Sequence, residues 1–194
     1  MNIRESIESI KSVQIKSTDL KRYLLMSPSK VKVFQSFLQS SIGNEVIVVN
    51  TNLGMEVYYY STNDYSNFIK ESVLLYTLTL SNQERLKFKS CINKKEVYDS
   101  FSETLSKFSQ YPQFFLAYTK KFIRLQEVNK NSKFIMPVLI DFFEKGMQLL
   151  SEKGRIPYYQ KDQLIKQKSR ESVNDSEKII KNLVSQVLMK MNSN

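Results

Sequence analysis

The chain has 194 residues, 41% of them hydrophobic and 25% charged, with a formal net charge of +10; this suits one globular domain or two small ones and excludes disorder throughout. With no histidine, one cysteine (Cys91) and four scattered glycines, it holds no Ser-His-Asp triad, Cys-His pair, ordinary zinc site, internal disulfide, phosphate-cradling loop or dinucleotide fingerprint. No uncharged stretch exceeds 12 residues, the length reached at residues 72–83 and 108–119 among others, well short of the roughly 20 apolar residues of a membrane span.

The N-terminus, MNIRESIESI, carries Arg4, Glu5 and Glu8 where a secretory signal needs an apolar region, so an intracellular, cytoplasmic protein is expected. Ile3, Ile7 and Ile10 are spaced as one face of a first helix, after which Val13 and Ile15 alternate with polar neighbours as in a short strand. Ser17 or Thr18 can cap the next helix, DLKRYLLM, which buries Leu20 and Leu24. Ser27 before Pro28 is a sharper start signal, a capping hydroxyl followed by a residue whose missing N–H costs nothing there. That helix is predicted to run to Ser41, with Val31, Phe34 and Leu38 inward and Gly43 ending it. NEVIVVN and MEVYYYS then flank a turn containing Asn50, Asn52 and Gly54, as in a β-hairpin.

The segment DLKRYLLMSPSKVKVFQSFL, with the strands IGNEVIVV and GMEVYYYS, resembles the winged helix-turn-helix repressors of the ArsR and MarR kinds over residues 3–61. It departs from their pattern at Lys21, at Leu25 and in the uncharged tip NTNLG. The resemblance implies an N-terminal winged helix of three helices and a hairpin; with the helical pattern of the remaining residues, the expected fold is mainly α, the winged helix being followed by an all-helical domain. It also implies a homodimer that reads duplex DNA with the helix from Ser27 to Ser41, and a wing reaching along the minor groove through Asn50, Thr51 and Asn52. On that helix Ser29, Lys30, Lys32, Val33 and Ser36 would meet bases or phosphates, while Lys16, Ser17, Lys21 and Arg22 would anchor the backbone. Equally, these can be solvated side chains on an ordinary helical unit.

From Ser61 onward the pattern is helical almost to the end. Tyr65, Phe68, Ile69, Val73 and Tyr76 share one face of a helix whose end, YTLTL, alternates like a strand. Arg85, Lys87, Lys89, Lys94 and Lys95 form a basic cluster. Asn93 with Glu96 resembles a capping box before the stripe Val97, Phe101, Leu105 and Phe108. Pro112 opens a helix that packs Phe115, Tyr118, Phe122 and Leu125. Residues 132–153 are the most apolar helix, which Pro137 should start or kink and where Gly146 admits a close neighbour. Lys153 to Arg170 holds six basic residues against Asp162, with Tyr158 and Tyr159 nearby, a pattern that stacking on single strands or a solvated linker explains. A last amphipathic helix places Ile180, Leu183, Val184, Val187 and Met191 on one side, and these are the predicted dimer contacts.

The expected domains are therefore a winged helix (1–61), a helical domain (62–153), a basic linker (154–175) and a C-terminal amphipathic helix (176–194). The positive excess is spread out: residues 1–61 hold seven basic and five acidic side chains, and residues 62–130 and 131–194 hold eleven and seven each. Transcription regulation without an enzymatic site, cofactor or metal is the leading expectation, with duplex DNA and a second copy as partners and no membrane. A helical scaffold or assembly subunit that docks protein, and a plasmid or viral replication or maintenance factor, are the alternatives.

Overall fold

The computed structural model describes residues 9–17, 24–77 and 86–152. Their elements, in chain order, are β1 (Ser9–Ser17), α1 (Pro28–Ile42), β2 (Val46–Thr51), β3 (Gly54–Ser61), α2 (Ser66–Thr77), β4 (Leu86–Cys91), α3 (Lys94–Ser109), α4 (Pro112–Val128) and α5 (Ile135–Glu152). The chain divides into two compact units, the first of residues 1–98 with 132–135, the second of residues 99–131 with 136–194.

The first unit is built on a four-stranded antiparallel sheet in the order β2-β3-β1-β4. Alternation along each strand sends Val13, Ile15, Val46, Val48, Met55, Val57 and Tyr59 to one face. There they pack with Phe34 and Leu38 of α1 and with Ile69 and Val73 of α2. The rings of Phe34 and Tyr76 meet at 4.9 Å between the two helices. At the hairpin, Gly54 has φ +136, and a Cβ there would lie 2.3 Å from the Ile15 carbonyl oxygen. Only glycine lets β3 start this close to β1.

This arrangement overturns the mainly α, winged-helix expectation, because the unit is mixed α/β. Ser9 and Ile10, read as the end of a first helix, begin β1, and Leu24 to Met26 are not helical. The β2–β3 hairpin is not a free wing: β3 pairs with β1 along Ser9 to Ile15, and β1 pairs with β4. The physical reason lies in the strands themselves. Val46 to Asn50 and Met55 to Tyr59 are buried without interruption, as in strands covered on both faces, whereas a wing would keep one face in water. The β4 segment, LKFKSC, alternates at period two inside a stretch read as helical, and the sheet edge takes it up.

α1 follows the sequence closely. Ser27 caps it, accepting the Lys30 amide at 3.4 Å, and Pro28 occupies its first turn. Gly43, with φ +139, stops it and donates its N–H to Gln39.

The second unit is helical. Phe101, Leu105 and Phe108 of α3 are buried, as are Phe115, Tyr118 and Phe122 of α4 and Leu139, Phe142, Phe143, Met147 and Leu150 of α5. The rings of Phe122 and Phe143 stack at 4.4 Å and those of Phe108 and Tyr118 at 4.5 Å. A Cβ on Gly146 would lie 2.5 Å from Leu105 Cδ2, so this glycine does admit a close helix. Leu149, on the same helix, is exposed. No helix among the described residues is long and apolar enough to cross a membrane.

Candidate nucleic-acid interface

The outward face of α1 follows from its inward one. Once Phe34 and Leu38 are buried and Val31 is half-buried, helical geometry leaves Ser29, Lys30, Lys32, Val33 and Ser36 exposed. Val33 keeps 60% of its surface in solvent. No carboxylate occurs anywhere in the sequence of α1, PSKVKVFQSFLQSSI.

α1 is held firmly from behind. Gln35 Oε1 accepts the Val48 amide at 3.0 Å, and Gln39 Nε2 donates to the Val46 carbonyl at 3.1 Å. Both partners belong to β2, the edge strand, so the two glutamines satisfy backbone groups that the sheet leaves open. Asn50 Nδ2 donates to the Met26 carbonyl at 2.6 Å, fixing the segment that leads into α1.

The remaining proposed DNA contacts divide. Asn50 is buried and supports backbone, so it cannot meet a groove. Thr51 shapes the hairpin turn, its hydroxyl donating to the Gly54 carbonyl at 2.9 Å, and Asn52 is exposed at the tip. Lys16 and Ser17 end β1 but point to opposite faces, with Ser17 on the α1 side and Lys16 on the other. The structure thus separates Lys16 from the α1 group. Lys21, Arg22 and the dimer contacts Ile180, Leu183, Val184, Val187 and Met191 lie outside the described residues.

No protein-family model, curated protein or solved structure matches the chain. The chemistry of this surface therefore rests on its own charges.

The described residues of the first unit carry ten lysines and five carboxylates. Seven of those lysines are exposed, against three of the carboxylates, so cations dominate what solvent meets. Lys11 is spent internally, donating to the Ser61 carbonyl. Glu45 binds the start of α5: Ser132 Oγ donates to it at 2.7 Å and the Lys133 amide at 2.8 Å, with the amides of Phe134 and Ile135 nearby. Burial pushes the Glu45 carboxyl up, but these donors outweigh it and hold the group below the usual range. Asp64 behaves alike, with Ser66 and Tyr59 as donors.

Glu56 is the feature that the sequence did not single out. It sits on the sheet face away from α1, in one cross-strand row with Val49, Gln14 and Lys89. Ser12 Oγ donates to it at 3.3 Å. Burial raises it to about 7, against the pull of hydrogen bonds from Tyr58 and Ser12 and the charges of Lys16 and Lys89. A carboxyl at that value is largely protonated below neutral pH and ceases to offset the nearby lysines. The only signal in the sequence was a glutamate inside MEVYYY, where alternation puts it between buried neighbours.

Proposed function

We propose that the chain is a non-enzymatic protein that binds duplex DNA with the outward face of α1. One observation carries this: Lys30 and Lys32 stand exposed beside Ser29, Val33 and Ser36 on a helix with no carboxylate, fixed to the sheet by Gln35 and Gln39. Lysines supply phosphate or guanine contacts, serine hydroxyls bond either phosphates or base edges, and an exposed valine suits the thymine methyl group. Rigid backing matters because a helix that keeps its place loses less freedom on docking. Control of transcription is the use proposed for such binding. The fold that supports it is the mixed α/β unit described above, and not a winged helix.

The test is fluorescence anisotropy of the full chain across a salt series, with the DNA upstream of its own gene against a scrambled duplex. Preferential binding that falls steeply with salt is expected. The variant Lys32→Glu should bind at least about tenfold more weakly, since it removes one cation and adds a repelling charge. Unchanged affinity in that variant would remove α1 as the reading helix.

A second reading, a protein-docking subunit of an assembly, is favoured by the exposed apolar side chains Val33 and Phe37 on α1 and Leu74 and Leu75 on α2, the last 68% in solvent. It predicts no preference between the two duplexes, and loss of self-association or partner binding in Leu75→Glu.

A further inference from the structure

The sheet register assembles a group of cations that linear sequence scatters. Lys16 of β1 lies directly opposite Lys87 of β4, and Gln14, two residues back, lies opposite Lys89. Lys16, Lys87 and Lys89 therefore share the face away from α1. β4 is an edge strand, Lys87 and Lys89 are exposed, and Lys16 is half-buried. The other described side chains on this part of the face, Val49, Gln14, Glu56 and Cys91, are buried, so what solvent meets here is ammonium without exposed apolar surface. Glu56 beneath them interacts with Lys16 and Lys89, but one buried carboxyl faces three lysines, and Lys16 and Lys87, directly opposite one another across two strands, repel, so an arriving anion is favoured.

We propose that Lys16, Lys87 and Lys89 form a second contact site for the phosphate backbone of nucleic acid, on the side of the sheet opposite α1. A row of cations along one strand with a third beside it meets a linear polyanion better than a single point charge, because each long side chain reaches its own phosphate. The sheet and α1 itself lie between this site and the outward face of α1, so the two are distinct surfaces. It rests on nucleic acid being the ligand, but not on α1 being the helix that reads it.

The experiment uses the full chain and the scrambled duplex, with three variants: Lys87→Gln with Lys89→Gln, Lys30→Gln with Lys32→Gln, and all four together. Circular dichroism confirms folding, which surface glutamines should leave intact. The slope of log affinity against log salt should shrink by about two in Lys87→Gln/Lys89→Gln, and by a similar further amount when all four are changed. An unchanged slope in the β4 variant beside a reduced one in the α1 variant overturns this site and leaves the proposed function standing. A reduced slope in the β4 variant alone supports the site and removes α1. No change in any variant overturns both. Binding to vesicles of anionic phospholipid that the β4 changes abolish, with DNA binding untouched, makes the ligand a lipid surface and overturns the proposal.

Discussion

Replacing Glu56 with glutamine should stabilise the protein at alkaline pH and do little in acid. The Glu56 carboxyl is raised from 4.5 to about 7 by burial beside Gln14, Ser12 and Tyr58. Each unit of pKa is about 1.4 kcal/mol, so ionising this group costs the folded state roughly 3 kcal/mol relative to the unfolded chain. The sign is fixed by the folded value lying above the unfolded one. The contribution of the protonated form is fully present below about 4.5, declines as pH rises, and is lost once pH passes about 7. Glutamine stays neutral throughout and its amide oxygen can still accept from Ser12 Oγ, which donates to Glu56 at 3.3 Å. The measurement is the melting temperature of parent and variant at pH 5 and pH 8.5. Groups other than Glu56 titrate in both proteins and cancel in the difference between them. The expected gain at pH 8.5 is about 3 kcal/mol, or about 6–12 °C for a chain of this size, shrinking to about 1 kcal/mol or less at pH 5. A variant less stable than the parent at pH 8.5, or an equal gain at both values, would show that Glu56 is not a buried acid held near neutrality.

Glu45→Ala should cost about 2 kcal/mol, because the amides of Lys133, Phe134 and Ile135 and the Ser132 hydroxyl lose their acceptor; faster hydrogen exchange at residues 133–135 is the local readout. Since the Glu45 carboxyl is held below its usual value, the parent should lose this contribution only as pH falls through that lowered value, and the difference between parent and variant should vanish in strong acid. Gly146→Ala should destabilise by about 1 kcal/mol, the helix preference of alanine only partly offsetting contact with Leu105 at 2.5 Å; in a double-mutant cycle, Leu105→Ala should cost less in the Gly146→Ala background than alone. Changing Gln35 and Gln39 to alanine together should cost about 1–2 kcal/mol and expose the backbone of β2, with concentration-dependent association in size-exclusion chromatography as the check.

The parts of the fold legible in the sequence are those whose signals are local. Ser27-Pro28 set the start of α1, Asn93 and Glu96 set that of α3 through bonds of 2.9 Å to the Glu96 amide and 2.8 Å from Ile92, and the β-branched runs around Asn52 set the hairpin. What was not legible depends on pairing across the chain. Ile7 and Ile10 continue a helical spacing, yet Ile10 is paired with Tyr60 in a strand, because a central strand gains two ladders and two covered faces that a short helix does not. LKFKSC reads as part of a basic cluster in a helical stretch, because its period-two alternation is too short to decide a strand until β1 is beside it. Asn50 looked like a hairpin-tip contact because asparagine favours turns, but its side chain turns inward to the Met26 carbonyl.

The same long-range pairing alters the charge argument. Taken as a linear segment, residues 1–61 carry an excess of only two positive charges, too few to make a strong case for a polyanion partner. Once β4 joins the sheet, Lys87 and Lys89 belong to the same unit as Lys30 and Lys32, while Glu45 and Asp64 are occupied by backbone and hydroxyl donors and Glu56 is buried. Cations then lie on both sides of one sheet, and lysines outnumber carboxylates ten to five among the described residues of this unit. Two such surfaces facing away from each other cannot be met by one straight duplex lying on α1. Contact with both requires bent DNA or a second duplex segment, and bending a site of 20–30 base pairs costs on the order of 1–6 kcal/mol. Sedimentation with a short duplex separates the two: two duplexes per chain at saturation indicates bridging, and one per chain with a bent longer site indicates wrapping.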